Sequence, residues 1–166
     1  MYLKIIFSYV FLLFFLHTSH AITETIETPI EISNPIFTTK GINEMPYTIK
    51  ASSGIQKGDN IELYHIEGKI KNRDNIWIYL NAEKGNYNQI SQVVFLYQNI
   101  EVYTDNEEIL LSDEAIVDIQ QDKITLISNV KYENKISTIE ADKSVISNDF
   151  QNFDYSGSVK TSISNF

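Results

Sequence analysis

Residues Ala82 to Glu108 read AEKGNYNQISQVVFLYQNIEVYTDNEE. A small residue opens the phrase, Gly85 and Tyr87 follow, and a polar gap leads into two apolar bursts, Val93 to Leu96 and Ile100 to Tyr103, split by Gln98 and Asn99. Short runs of Val, Ile, Phe and Tyr bounded by Asn, Gln, Gly and Asp have the composition of β-strands between turns.

The cadence recurs on both sides. From Ile22 onward the chain holds four alanines, Ala51, Ala82, Ala115 and Ala141, spaced 31, 33 and 26 residues apart. Each leads, after 17, 17, 14 and 16 residues, to a Gly or Asn: Gly68, Asn99, Asn129 and Gly157. A small residue permits close backbone approach at a corner, and Gly or Asn accepts the left-handed conformation of a bulge or tight turn. The phrase is a degenerate repeat of two or three strands, and a single unit cannot bury its apolar face without its neighbours.

No stretch sustains the i, i+3, i+4, i+7 pattern of an amphipathic helix, whereas period-two runs are frequent. They predict twelve strands: Tyr47 to Ser52, Ile61 to Ile70, Ile76 to Ala82, Gln92 to Leu96, Ile100 to Tyr103, Glu108 to Leu111, Ala115 to Ile119, Lys123 to Ser128, Val130 to Tyr132, Ile136 to Ala141, Lys143 to Ile146 and Tyr155 to Ile163. Turn clusters such as KGDN, NRDN, TDNEE, QQDK and YENK separate many of them. The expected fold is all-β, a twisted sandwich, jelly roll or repeating coil of short antiparallel strands.

A chain of 166 residues has room for one ordinary domain. It has no cysteine, so disulfides, thiolate metal ligands and a thiol nucleophile are excluded together. The opening MYLKIIFSYVFLLFFLHTSHA carries Lys4, an apolar run from Ile5 to Leu16 broken only by Ser8, and a small-x-small triplet at Ser19 to Ala21. That run would span roughly 18 Å as a helix, short of the ~30 Å hydrocarbon core. Residues 1–21 therefore read as a signal peptide or a short N-terminal membrane-anchoring helix, 22–33 as an extended spacer or edge segment with Pro29, and 34–166 as the domain. Both readings of 1–21 put the domain outside the cytoplasm. From Ile22 onward 22 acidic side chains face 12 basic ones, a surface that repels polyphosphate and excludes nucleic acid as a partner.

The segments NPIFTTKGINEMPYTIKASSG, IWIYLNAEKGNY, VFLYQNIEVYTDNEE and FDYSGSVKTSI, in that order, resemble the LptC family in its α-proteobacterial form. The resemblance covers Asn34 to Ile163 and rests most on Asn34-Pro35 with Phe37, on Pro46 to Ile49 before Ala51, and on the Ala-x-x-Gly-x-Tyr phrase at 82 to 87. It implies an OstA-like, partly open β-jelly roll in the periplasm, a component of lipopolysaccharide export that is not an enzyme and needs no cofactor. The short hydrophobic segment leaves a soluble LptA-like bridge protein as the alternative, with an exported structural or adhesive β protein behind it.

Lipopolysaccharide carries acyl chains, and each CH₂ left in water costs about 0.8 kcal/mol, so transport calls for a continuous apolar lining. Strand alternation supplies one, with Ile61, Leu63, Ile76, Ile78, Leu80, Leu96, Ile100, Val102, Ile109, Leu111, Val117, Ile119, Ile124, Leu126 and Ile139 expected to point inward. Trp77 and Tyr79 fall on the opposite parity. The last segment alternates Val159, Thr161 and Ile163 against Lys160 and Ser162 and lacks proline, so it can add to the edge of a similar domain. By resemblance the acceptor there is an LptA-type protein, and the inner-membrane ABC transporter's jelly roll, LptF, meets the N-terminal edge. The acidic residues from Asp105 to Asp122 lack the spacing of a calcium loop and read as a solvated hairpin face, and His65 as a half-exposed strand residue, so no catalytic or metal site is expected.

Overall fold

The computed structural model describes residues 28–40, 44, 46–72, 74–147 and 151–163. The expected signal or anchor at 1–21, with its hydrophobic helix, lies outside them.

The described residues are all-β. Among them eleven strands form one antiparallel sheet: β1 Ile30–Ser33, β2 Ile36–Lys40, β3 Pro46–Lys57, β4 Asn60–Lys71, β5 Trp77–Asn88, β6 Val93–Thr104, β7 Ile109–Asp118, β8 Lys123–Glu133, β9 Ser137–Ser147, β10 Asn152–Ser156 and β11 Lys160–Ile163. From β3 to β9 each strand pairs with the next in sequence. Each border is a broken strand: β1 and β2 share β3, and β10 and β11 share β9. Ile30–Ser33, within the spacer or edge segment, is thus an edge strand.

The strands are longer than alternation suggests, because polar pairs that read as turns are kinks inside continuous strands. Gln98-Asn99 divides β6 and Ser128-Asn129 divides β8, with all four residues at positive φ. The ladder slips by one residue around these bulges, between Tyr97 and Ile100, Leu111 and Glu114, and Ile127 and Val130. Asn34, His65 and Gly157, at φ 49, 51 and 73, continue the line to both borders. The left-handed residues of β4, β6 and β8 and the register slips from β5 to β9 thus bend the sheet at one level, since bulges bend a strand and raise its twist.

This line is a crease. On its inner side the repeated alanines Ala51, Ala82, Ala115 and Ala141 are all buried. Short polar side chains bridge strands along its outer side. Asn99 Nδ2 donates to Glu83 Oε1 at 3.3 Å, Asn129 Nδ2 to Asp113 Oδ2 at 2.6 Å, and Ser158 Oγ to Asp142 Oδ2 at 3.1 Å. His65 is exposed here, its Nδ1 3.3 Å from Ser52 Oγ. Of the four punctuating residues, Asn99, Asn129 and Gly157 take the left-handed conformation, whereas Gly68 does not; β4 kinks instead at His65.

The crease folds the sheet onto itself. One layer comprises β2, β11 and the half-strands 46–51, 66–71, 77–82, 100–104, 109–111, 130–133 and 137–141; the other comprises β1, β10 and the remaining halves. The two layers of this sandwich are thus two halves of one sheet. No strand brings its Cα atoms within 8 Å of any strand but its ladder neighbours, so the layers meet through side chains alone. A single apolar core fills the space between them.

Gly85, the glycine of the opening phrase, is buried in this packing. A Cβ there would lie 2.7 Å from Ile66 Cδ1, 2.9 Å from Leu96 Cδ2 and 2.9 Å from the Phe95 carbonyl oxygen. The side chains can shift, but the ladder holds the carbonyl. Gly85→Ala is expected to lower stability by roughly 1–3 kcal/mol in urea denaturation, and an unchanged midpoint would show that the packing there is slack.

Candidate functional site

The inner faces of the two layers form a furrow. Of the residues expected to point inward, Ile61, Leu63, Ile78, Leu80, Leu96, Ile100, Val102, Val117, Ile119, Ile124 and Leu126 are buried in its core. Ile76 is half-buried at one end, and Ile139 is half-buried on the inner face opposite Tyr132.

Ile109 and Leu111 point the other way. Leu110 is 2% exposed and pairs with Val102, whereas Leu111 is 36% exposed and pairs with Glu101. Constant alternation back from Ala115 and Val117 puts Leu111 inside, but the irregularity between Leu111 and Glu114 shifts the inner set from odd to even numbers. The same flip crosses β4, β5 and β9, and so Ile66, Ile70, Tyr87 and Ile146 join the buried set. Only the alanine and asparagine spacing, read as a kink inside a strand, signals these flips in the sequence.

The furrow is closed in its middle and open at one end. Between Tyr47, Ile66 and Leu80 on one layer and Val94, Leu96 and Val117 on the other remains a wholly apolar space of about 20 Å³, room for roughly one water. At the end by the loop from Asn72 to Ile76, a cavity of about 320 Å³ opens between the layers. Ile76, Ile78, Val102, Leu110, Ile146 and Phe153 form its walls, and Asn72, Asp74, Thr104, Glu108 and Gln151 its polar rim. Glu108 is held there by Tyr132, whose Oη donates at 3.0 Å, and by Thr104 Oγ1 at 3.3 Å. Tyr132 also packs on Phe153 and Tyr155 with ring centroids 6.4 Å apart.

Burial pushes the Tyr132 and Tyr155 hydroxyls above the usual phenol range, and for Tyr155 the charges of Tyr132 and Glu108 add to it. Both are partly buried beside the core, and Tyr132 is the one whose hydroxyl donates to Glu108.

Polar contacts tie the layers together across the furrow. Tyr47 Oη donates to Asp122 Oδ1 at 2.7 Å, joining residues that are 2% and 3% exposed. Asp122 is therefore not part of a solvated hairpin face: its turn folds inward over the opposite layer. At the open end Gln151 Nε2 donates to Asp74 Oδ2 at 3.0 Å, and near the N-terminal border Phe37 packs on Tyr87, centroids 5.1 Å apart.

Trp77 and Tyr79 lie on the outer face. Tyr79 stacks on Tyr103 at 5.0 Å, and Lys69 Nζ sits 3.9 Å over the Trp77 ring. The final strand pairs with β9 through Thr161↔Ile139 and Ile163↔Ser137, and no described strand pairs with its other edge. Val159 and Ile163 are 49% and 70% exposed. Among the described residues no three His, Asp or Glu side chains gather as metal ligands.

Residues 55–164, about two-thirds of the chain, match the family model for LptC, described as lipopolysaccharide-assembly, LptC-related. No curated protein matches the chain.

Two outcomes follow from the tyrosines. Tyr47→Phe removes the donor to a buried carboxylate and should cost roughly 1.5–3 kcal/mol in urea denaturation; an unchanged midpoint would mean the contact ties nothing. Tyr155 has its pKa raised above the ordinary value of 10.0, so its contribution is whole below pH 10 and is lost as pH rises further. Stability should fall above pH 10 in the parent and less steeply in Tyr155→Phe, while parallel curves would place the phenol in water.

Proposed function

The chain belongs to the LptC family of lipopolysaccharide-assembly proteins, and on that footing we propose that its furrow carries the acyl chains of lipopolysaccharide during export. The protein would receive lipopolysaccharide from the inner-membrane ABC transporter and pass it to an LptA-type periplasmic bridge. The observation that carries this reading is the continuous apolar inner face leading out to the open end, where Ile76, Ile78, Val102, Leu110, Ile146 and Phe153 wall a cavity of about 320 Å³. A chain of roughly twelve carbons left in water costs on the order of 10 kcal/mol, so passage needs such a surface along its whole course. Apolar contacts are non-directional, so successive positions hold a chain alike and sliding meets little resistance. No covalent bond is made or broken, and direction comes from the ATP-driven transporter.

The middle of the furrow is filled by its own side chains, so acyl chains enter as the layers part. The fold suits that movement, because the layers are joined covalently at the crease and elsewhere only through side chains. The borders supply the docking sites: β1 and β2 for the transporter's LptF domain, β10 and β11 for the bridge protein. Each consists of two short strands along one long strand, with a backbone edge that no described strand covers, of the kind that accepts another strand. The domain would act in the periplasm, tethered to the inner membrane by residues 1–21 or released if they are cleaved.

Adjacent residues of opposite parity test the reading. A photo-crosslinking side chain at Leu110, inside the furrow, is expected to capture lipopolysaccharide in cells, whereas the same group at Leu111, on the outer face, is not. Equal labelling at both positions, or labelling at Leu111 alone, would exclude the furrow as the path.

A further inference from the structure

Four polar side chains are buried among the described residues: Asn72, Ser112, Asp122 and Ser144. Asn72 Oδ1 accepts from the Ile76 N–H at 2.9 Å, Ser112 Oγ donates to the Glu114 carbonyl at 3.0 Å, and Asp122 accepts from Tyr47. Ser144 is 0% exposed, and among the described residues its Oγ alone is a fully buried side-chain polar atom without a hydrogen-bond partner. A buried hydroxyl with no partner is disfavoured, and alanine would fill a tight inward strand position without that cost. The chain does use alanine at Ala51, Ala82, Ala115 and Ala141, inward positions along the crease.

Ser144 lies on the furrow face. In the ladder it stands between Leu126 and Tyr155, and Ile146, two residues on, walls the open cavity together with its own ladder partner Phe153. Ser144 is thus one inward step, about 7 Å, deeper than the cavity wall. Tyr155, its ladder partner on β10, packs its ring against Tyr132, centroids 6.4 Å apart. The Tyr132 hydroxyl is already engaged, donating to Glu108 and accepting from Asn134 Nδ2 at 2.9 Å.

We propose that Ser144, with Tyr155 beside it, is a recognition point inside the furrow for an oxygen substituent carried on an acyl chain, a hydroxyl or a carbonyl. This inference rests on the furrow reading above and deepens it. A plain hydrocarbon leaves the serine hydroxyl dry and unpaired, whereas an oxygenated chain completes its hydrogen bond where water does not compete. The furrow then selects among lipids by chain chemistry as well as by length.

The test is competition between tetradecanoic acid and 3-hydroxytetradecanoic acid for a fluorescent fatty-acid probe, using the full chain in amphipol. The parent should favour the hydroxylated acid about three- to tenfold, the range one net hydrogen bond provides. Ser144→Ala should lose the preference, binding the two acids alike, and unfold at the same or higher urea concentration. A parent without preference, or a Ser144→Ala protein that keeps it, overturns the inference while the furrow reading stands. Failure of both acids to displace or bind at all overturns both.

Discussion

A sheet that is apolar on one face has to cover that face, and this chain covers it with the sheet itself. The other features follow from that constraint. An uncreased sheet of strands ten to twelve residues long would leave its inner residues in water, so the sheet is bent at one level, where short polar side chains and left-handed residues make bending inexpensive. The interior alanines let the layers approach at the fold, and the asparagine, aspartate, glutamate and serine side chains outside the crease bond from strand to strand along it.

That geometry explains how the sequence reads. The strand class, the turns at Lys57 to Asn60 and at Asp105 to Glu108, and the thirty-odd-residue rhythm are legible from alternation and turn chemistry. The bulges are not, because Gln98-Asn99 and Ser128-Asn129 have the composition of loops, and only the ladder on either side shows that the strand continues. Hence alternation predicts twelve short strands where the described residues form eleven, mostly longer. The same cause reverses Leu110 and Leu111: three apolar residues in a row carry no alternation, and parity counted through a bulge comes out inverted. Asp122 resisted reading for a different reason. Its partner Tyr47 is 75 residues away, and no local pattern marks a turn that folds inward.

The furrow is unevenly filled. Its middle has only about 20 Å³ to spare, a packed core, whereas one end opens into about 320 Å³. Tyr47 with Asp122 and Gln151 with Asp74 are the polar ties across that space, backed by Phe37 on Tyr87. Each is small beside the backbone ladder, so separating the layers disturbs side chains and leaves the sheet's own hydrogen bonds intact.

The meander from β3 to β9 has one more consequence, for biogenesis. Because each of these strands pairs with its sequence neighbour, a chain emerging amino end first can add hairpin after hairpin in the order of arrival. The tie between Tyr47 and Asp122 waits only for the turn between β7 and β8, before β9 to β11 have arrived.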